Sequence, residues 1–362
     1  MQLTVGIGLL GHGTVGGAVS QSLKENAETI ERRTGVRCQL RGIATRGAGD
    51  ARALIDDPRV DVVIETIGGT TDAADLVEHA LDRGRHVITA NKDLIATQGP
   101  RLIALAASRG VGLRYEAAAC SAVPVVRTIH DALAGDSVYA VAGVLNGTTT
   151  SILSAMEEGV EYADALSDAQ ERGYAETDPA SDVAGLDAAH KLALLVQLAF
   201  ETAVISPRIR KSGITAVTRP EAQQAMSLGY RIRLVAAATR TPSGAFAEVS
   251  PALVPLAHAF AQATGVENVV RIDARGAGTL WLRGQGAGGA ASASPILGDL
   301  VTLVREMARA GDRGRSIVPR FDPAMQVAPL FDALPRLESL PQYPVWNDAV
   351  LDIHNSGEFI HA

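Results

Sequence analysis

Cysteine is scarce in this chain. Cys38 and Cys120 are the only two, far apart in sequence, so there is no disulfide framework and no thiolate metal cluster, and a reducing cytoplasm is the expected compartment. Basic charge is short as well. There are 33 Lys and Arg against 40 Asp and Glu, a net charge of −7, and the arginines are scattered, which disfavours nucleic acid and leaves small molecules as the expected partners. No run of apolar residues reaches the roughly 18 needed to span a bilayer, so no membrane role is expected. The opening MQLTVGIGLLGHG has neither the basic start nor the small-residue cleavage site of a secretory signal, and reads as a strand of the mature fold. The histidines show no metal-ligand spacing.

What is present points to a two-domain enzyme. With 362 residues, 47 % hydrophobic and 20 % charged, the chain is globular in composition and too long for one ordinary core. Residues 3–10 form an apolar run that ends in Gly11-His12-Gly13-Thr14-Val15-Gly16 and continues as a helical pattern to about Leu23. A lone G-x-G-x-x-G is weak, but strand, glycine turn and helix together are the context in which it binds a dinucleotide. Gly11 permits the tight turn, Gly13 lets backbone approach a pyrophosphate, and Gly16 lets the helix pack closely, with phosphates at the helix N-terminus, beside Thr14 and Val15.

Strands follow near 36–44, 60–66, 86–90 and 111–116, with helices from about 50, over 72–83 and up to 109. This alternation predicts an α/β fold with a doubly wound, parallel Rossmann-type sheet. Ligands of such sheets bind beyond the carboxyl ends of the strands, which gathers the loops 11–16, 45–46, 66–69, 91–92 and 116–123 at one rim. Thr66 and Gly68 are therefore candidate cofactor contacts. Lys92 sits where a cation beside a nicotinamide orients a carbonyl or stabilises developing charge on oxygen, although a solvated loop lysine fits the position equally. Where an NAD-specific strand ends in an acid, this one has Ala44-Thr45-Arg46; an arginine suits a 2′-phosphate, so NADP is favoured over NAD.

Beyond a helical pattern at 127–133, a strand at 138–145 runs into Asn146-Gly147-Thr148-Thr149-Thr150 and a helix from near Ser151. Amides and hydroxyls there can hold a small polar ligand, and plain N-capping explains the same residues. Short strands near 231–237, 245–249, 268–272 and 279–282, around a helix near 254–263, predict a second, α+β domain with its own sheet. The glycine-rich RGQGAGGAASAS before a helix at 295–310 brings Gly288 close to the expected cofactor. The expected domains are 1–130 for the dinucleotide, 131–288 for substrate and dimerisation, 289–310 returning to the first, and an irregular tail at 311–362.

The most charged stretch is GYAETDPASDVAGLDAAHK at 173–191. It leads into a helix expected over 183–200. From Asp187 the same helical stripe carries Lys191, Leu194 and Leu198, so the pair is expected to face inward, where an unpaired charge costs several kcal/mol. An exposed i,i+4 pair is the alternative.

With these residues assembled, the chain resembles homoserine dehydrogenases from about residue 3 to residue 308. GHGTVGGAV, GRHVITANKDLIA, YEAAACSAVPVVRTI, GVLNGTTT and GYAETDPASDVAGLDAAHK are similar to that family's successive signatures. The resemblance implies NAD(P)H-dependent interconversion of aspartate 4-semialdehyde and homoserine, in threonine and methionine biosynthesis. It places Lys191 as proton donor, Lys92 near cofactor and substrate, and Glu176 at the substrate's amino group, with Asp182 and Asp187 completing the polar site; Asn146, Gly147 and Thr148 are further candidate substrate contacts. It also implies a homodimer, and a monovalent cation, Na+ or K+, on backbone carbonyls of Glu116, Ala119, Ser121 and Val123. Thr150 and Ala290-Ala291 depart from the family pattern. Nothing after Ala310 resembles a regulatory ACT domain, so no threonine feedback through one is expected. The rival readings are a related amino- or keto-acid dehydrogenase and a dinucleotide-sensing regulator without turnover.

Overall fold

The apolar run after Leu3 forms a strand with every residue from Val5 to Leu10 buried, the pattern of a central strand covered on both faces. In this computed structural model residues 3–45, 50–172, 174–175, 178–202, 204, 206–242, 244–309 and 325–352 are described. Arg46 and Glu176, two of the candidate site residues, lie outside them.

In chain order come β1 (Thr4–Leu10), α1 (Thr14–Glu25), α2 (Ala27–Thr34), β2 (Arg37–Ala44), α3 (Asp50–Asp56), β3 (Val62–Glu65), α4 (Asp72–Asp82), β4 (His86–Thr89), α5 (Lys92–Ser108), β5 (Leu113–Arg114) and α6 (Glu116–Cys120). Next are α7 (Val125–Arg127), β6 (Val138–Val144), α8 (Gly147–Glu157), α9 (Tyr162–Glu171), α10 (Ala180–Val183), α11 (Leu186–Phe200), β7 (Arg210–Lys211) and α12 (Arg219–Ser227). The remainder is β8 (Tyr230–Thr241), β9 (Gly244–Pro255), β10 (Glu267–Ala274), β11 (Gly278–Gln285), α13 (Gly289–Arg309), β12 (Gln326–Ala328), β13 (Arg336–Leu337) and β14 (Leu340–Pro344).

The chain divides into two compact units, Met1–Val126 with Ala287–Arg320, and Arg127–Gly286 with Phe321–Ala362. The first holds a parallel sheet in the order β2-β1-β3-β4-β5. Alternation along the strands splits its core in two. Val5, Ile7 and Leu9 of β1 pack with α1, α2 and α13, while Leu10, Val63 and Val87 pack with α3, α4 and α5. The sheet is therefore doubly wound, with its glycine turn and its carboxyl-end loops at one rim.

The second unit carries a seven-stranded sheet ordered β11-β10-β6-β8-β9-β12, with β7 also on β9. Its central pairings are antiparallel. Ala140, Ala142 and Val144 of β6 pack with Phe331, Trp346 and Leu351 from the C-terminal segment, and α11 packs on β6, β8 and β9.

Three expectations are corrected. No helix spans 254–263: β9 continues to Pro255 and the following residues form turns. β7 and β12 pair with β9 only as far as Val249, so Pro251 stands where one strand neighbour is lacking and no amide is required of it. The described part of the tail is also more ordered than expected. β12 extends the sheet, Trp346 N donates to Leu253 O at 2.8 Å, and Glu248 Oε2 accepts from Leu330 N and Phe331 N. Finally, the helix expected over 183–200 is broken at Gly185, whose φ of 78° ends α10 and starts α11.

Candidate active site

In the first unit the glycine turn is built by close approach. Gly11 has a φ of 92°, and a Cβ on Gly16 would stand 2.2 Å from Gly11 O, a distance no side chain tolerates. Gly13 is different. A Cβ there would meet no protein atom within 4 Å, so the protein's own packing does not demand glycine at this position. Thr66 closes the turn from β3, its hydroxyl donating to Leu10 O at 2.9 Å and lying 3.2 Å from Gly11 O. This hydroxyl therefore shapes the turn. Gly68 has a φ of 80° and a Cβ there would also meet nothing.

Lys92 is half-buried in the first turn of α5. Asn91 caps that helix, accepting from Leu94 N at 3.0 Å, while its amide donates to Gly69 O at 2.7 Å. Along the other edge, Gly289 at the start of α13 comes so close to α1 that a Cβ would sit 2.9 Å from Thr14 O. Gly289 is thus explained by helix contact, and Gly288 by its φ of 114°. The helix starts at Gly289, earlier than the expected Pro295.

The segment expected to hold a cation is tightly braced. Glu116 is buried; its amide donates to Asp299 Oδ2 and its Oε1 accepts from Val126 N, both at 2.9 Å. Ser121 has a φ of 51°, rare for a non-glycine residue, and its hydroxyl lies 3.0 Å from that of Ser292. Val123 O accepts from Val125 N at 2.8 Å, and Ala119 is in α6.

The second unit gathers the charged stretch. Asp187 and Lys191 lie one turn apart on α11, their side chains only 4 % and 10 % exposed, and Nζ stands 2.9 Å from Oδ2. The pair is buried, as the leucine stripe requires. Lys191 Nζ also donates to Leu145 O, just past β6, at 2.7 Å. Asn146 is the hub. Its amide nitrogen donates to Asp182 Oδ1 at 2.7 Å and Asp187 Oδ2 at 2.9 Å, and its Oδ1 accepts from Thr149 N at 2.8 Å, capping α8. That cap starts α8 at Gly147 and not near the expected Ser151. Thr148 Oγ1 donates to Tyr174 O at 2.6 Å and lies 3.3 Å from Asp182 Oδ2. Gly147 is required by packing, since a Cβ would lie 2.4 Å from Val266 Cα.

Asp182, Asp187, Lys191, Asn146 and Thr148 thus form one cluster. Two carboxylates with one ammonium suit a ligand that carries a positive group and an oxygen that must be protonated. Among the described residues no cluster of His, Cys, Asp and Glu fits a metal ion, and no helix is long and apolar enough to cross a membrane. Burial pushes the Cys38 thiol up to about 11, and Cys120 is buried; neither offers a ready thiolate nucleophile.

Residues 11–116 match the family model of the homoserine dehydrogenase NAD-binding domain, and residues 124–301 match that of homoserine dehydrogenase. The chain is 42 % identical over 328 residues to the homoserine dehydrogenase of Mycobacterium tuberculosis, covering 86 % of this chain and 74 % of that one.

The chain belongs to the homoserine dehydrogenase family.

Its relative from Pseudomonas aeruginosa is 40 % identical over 316 residues, covering 84 % of this chain and 73 % of that one. The crystal structure of a homoserine dehydrogenase from Thiobacillus denitrificans superposes with a TM-score of 0.84 at 35 % identity, over 91 % of this chain and 81 % of that one. The chain is accordingly an NAD(P)-dependent oxidoreductase acting on a CH–OH group, and its reaction is the family's reduction of aspartate 4-semialdehyde to homoserine.

The sequence had not singled out Glu65, Thr89 or the carbonyl of Leu145. A lone acid ending an apolar strand just before two glycines was the available signal for the first.

Proposed function

We propose that Lys191 protonates the substrate's C4 oxygen as hydride arrives at C4, with Asp187 orienting it. The buried Lys191–Asp187 pair carries this reading. Among the described residues two of the ammonium's three N–H groups are engaged, by Asp187 and by Leu145 O, which leaves one to donate. Asp182 and Asp187, held together by Asn146, receive the substrate's α-ammonium, with Glu176 assigned the same task on sequence alone. Gly147 and Thr148 complete this end of the substrate site. Lys92, fixed by the Asn91 cap, faces the carbonyl or carboxylate of the substrate and the cofactor. A bound nicotinamide dinucleotide supplies the hydride. Gly11, Gly13, Thr14, Val15, Gly16, Thr66, Gly68 and Gly288 form its cradle, and the packing-free Cβ position of Gly13 supports this assignment.

NADP is preferred to NAD on the strength of Arg46. Arg46→Ala should weaken NADPH much more than NADH; equal losses would remove the preference. A monovalent cation is assigned to the carbonyls of Glu116, Ala119, Ser121 and Val123, supported by the strained backbone at Ser121, which turns successive carbonyls off the helical direction. The working form is a homodimer in the cytoplasm, joined through the second unit's sheet, whose edge strand β11 exposes Trp281. Residues 1–130 and 289–310 serve the dinucleotide, 131–288 substrate and dimerisation, and 311–362 pack on the body.

The test is direct. Purified protein mixed with NADPH and aspartate 4-semialdehyde should consume reduced nicotinamide and yield homoserine. Binding of NADPH without consumption would favour the sensing regulator.

A further inference from the structure

Glu65 ends β3 with its side chain fully buried, and the roles above make no use of it. Among the described residues it has no cationic partner, which for a carboxyl group is a costly arrangement unless its oxygens are otherwise engaged. They are. Oε1 accepts from Ile67 N at 2.7 Å and Gly68 N at 3.0 Å, and Oε2 accepts from the Thr89 hydroxyl at 2.5 Å. The hydroxyl oxygen of Thr89 in turn accepts from Asn91 N at 2.9 Å. Asn91 completes the ring by donating to Gly69 O and capping α5 at Leu94 N.

These contacts form a closed circuit, Glu65 to the 67–69 loop, to Asn91, to Thr89 and back to Glu65. It ties together the loops that leave the carboxyl ends of two adjacent strands, in which Glu65 and Thr89 are register partners. Pairing of β3 with β4 uses main-chain groups and does not need the circuit. What the circuit specifies lies beyond the strands, namely two consecutive glycines at φ 80° and 79° and the first turn of α5, which carries Lys92. A leucine would fill the same space for less desolvation, so the carboxylate is selected by the three donors it gathers.

We propose that Glu65, acting through Thr89 and Asn91, is a positioning residue for hydride transfer that sets the 67–69 loop against the dinucleotide and fixes Lys92. Glu65→Gln keeps the shape but cannot accept from all three donors with the same polarity; Thr89→Val keeps the shape and removes the relay, whereas Thr89→Ser retains the hydroxyl. The effect through Lys92 rests on the role proposed for that residue. The effect on the dinucleotide does not, so NADPH binding is read separately.

Steady-state turnover of NADPH with aspartate 4-semialdehyde, NADPH fluorescence titration and thermal unfolding are measured for all three variants, for Glu65→Gln/Thr89→Val together, and for Lys92→Ala. Glu65→Gln and Thr89→Val should each lower kcat about tenfold or more and raise the NADPH Kd several-fold, leaving the KM for the semialdehyde within about twofold. Thr89→Ser should restore both, and the double variant should be no worse than the poorer single one within about twofold, because both break one circuit. Wild-type kcat and NADPH Kd in Thr89→Val, whatever its unfolding temperature, would overturn the proposal, as would losses that multiply in the double variant. Should Glu65→Gln not fold, the Thr89→Val and Thr89→Ser pair decides. Normal turnover in Lys92→Ala would remove the role of that lysine alone, and the Kd comparison would still decide on Glu65.

Discussion

Lys191 and Asp187 face each other at 2.9 Å across one turn of α11, in a helix whose next five residues are all buried. The cluster around them is held from outside the helix, by the amide of Asn146 and the carbonyl of Leu145. Removing one member of such a buried pair leaves the other uncompensated. Asp187→Asn should lower unfolding stability by about 3 kcal/mol and reduce kcat as well, checked by urea denaturation beside steady-state kinetics. Unchanged stability would mean that the pair is not electrostatically coupled in solution.

The glycine turn separates packing from binding at two positions three residues apart. Gly16→Ala forces a Cβ to within 2.2 Å of Gly11 O, so the variant should unfold at a distinctly lower temperature. Gly13→Ala meets no protein atom and should cost no more than about 1 kcal/mol as a changed helix N-cap, yet weaken NADPH by about tenfold or more, the space being needed by the phosphates. Thermal melts and NADPH titration of the two variants check this. Equal NADPH affinity in Gly13→Ala and the parent would move the phosphates elsewhere.

How much of this was legible beforehand depended on whether the cause was local. The Gly11–Gly16 turn, the alternation of β1 to β5 with their helices and the inward stripe of Asp187 and Lys191 are all set by residues a few positions apart, and periodicity carries them. Asn146 reads as a helix cap, which it is. Its contacts with Asp182 and Asp187, 36 and 41 residues on, follow only once α11 packs on β6. The turn region after β9 was expected to be a helix because what carries β9 on to Pro255 is its pairing with β8, a contact between strands that local periodicity does not show. Glu65 escaped for the same reason: its partner Thr89 is 24 residues away on the adjacent strand.

His86 gives a pH signature unrelated to the chemistry. Burial holds its imidazole below the ordinary histidine range, with Glu306 and Asp61 partly opposing, and Nδ1 accepts from Gly112 N at 2.9 Å. The unfolded chain then takes up this proton more readily than the folded one. Its contribution to stability is complete above the unfolded value near about 6.5 and is lost as the pH falls from there through the lowered folded value. Urea midpoints taken from about pH 8 to about pH 5 should fall over the acid part of that range and fall less in His86→Gln; identical profiles would assign the acid lability to other groups.

The proton-donor role of Lys191 is tested most directly by purifying Lys191→Ala and following NADPH consumption with saturating aspartate 4-semialdehyde, with NADPH affinity measured on the same sample. The expected result is a kcat lower by about 10²-fold or more with NADPH affinity retained. Turnover at the parent's rate would contradict the assignment of the proton to this ammonium.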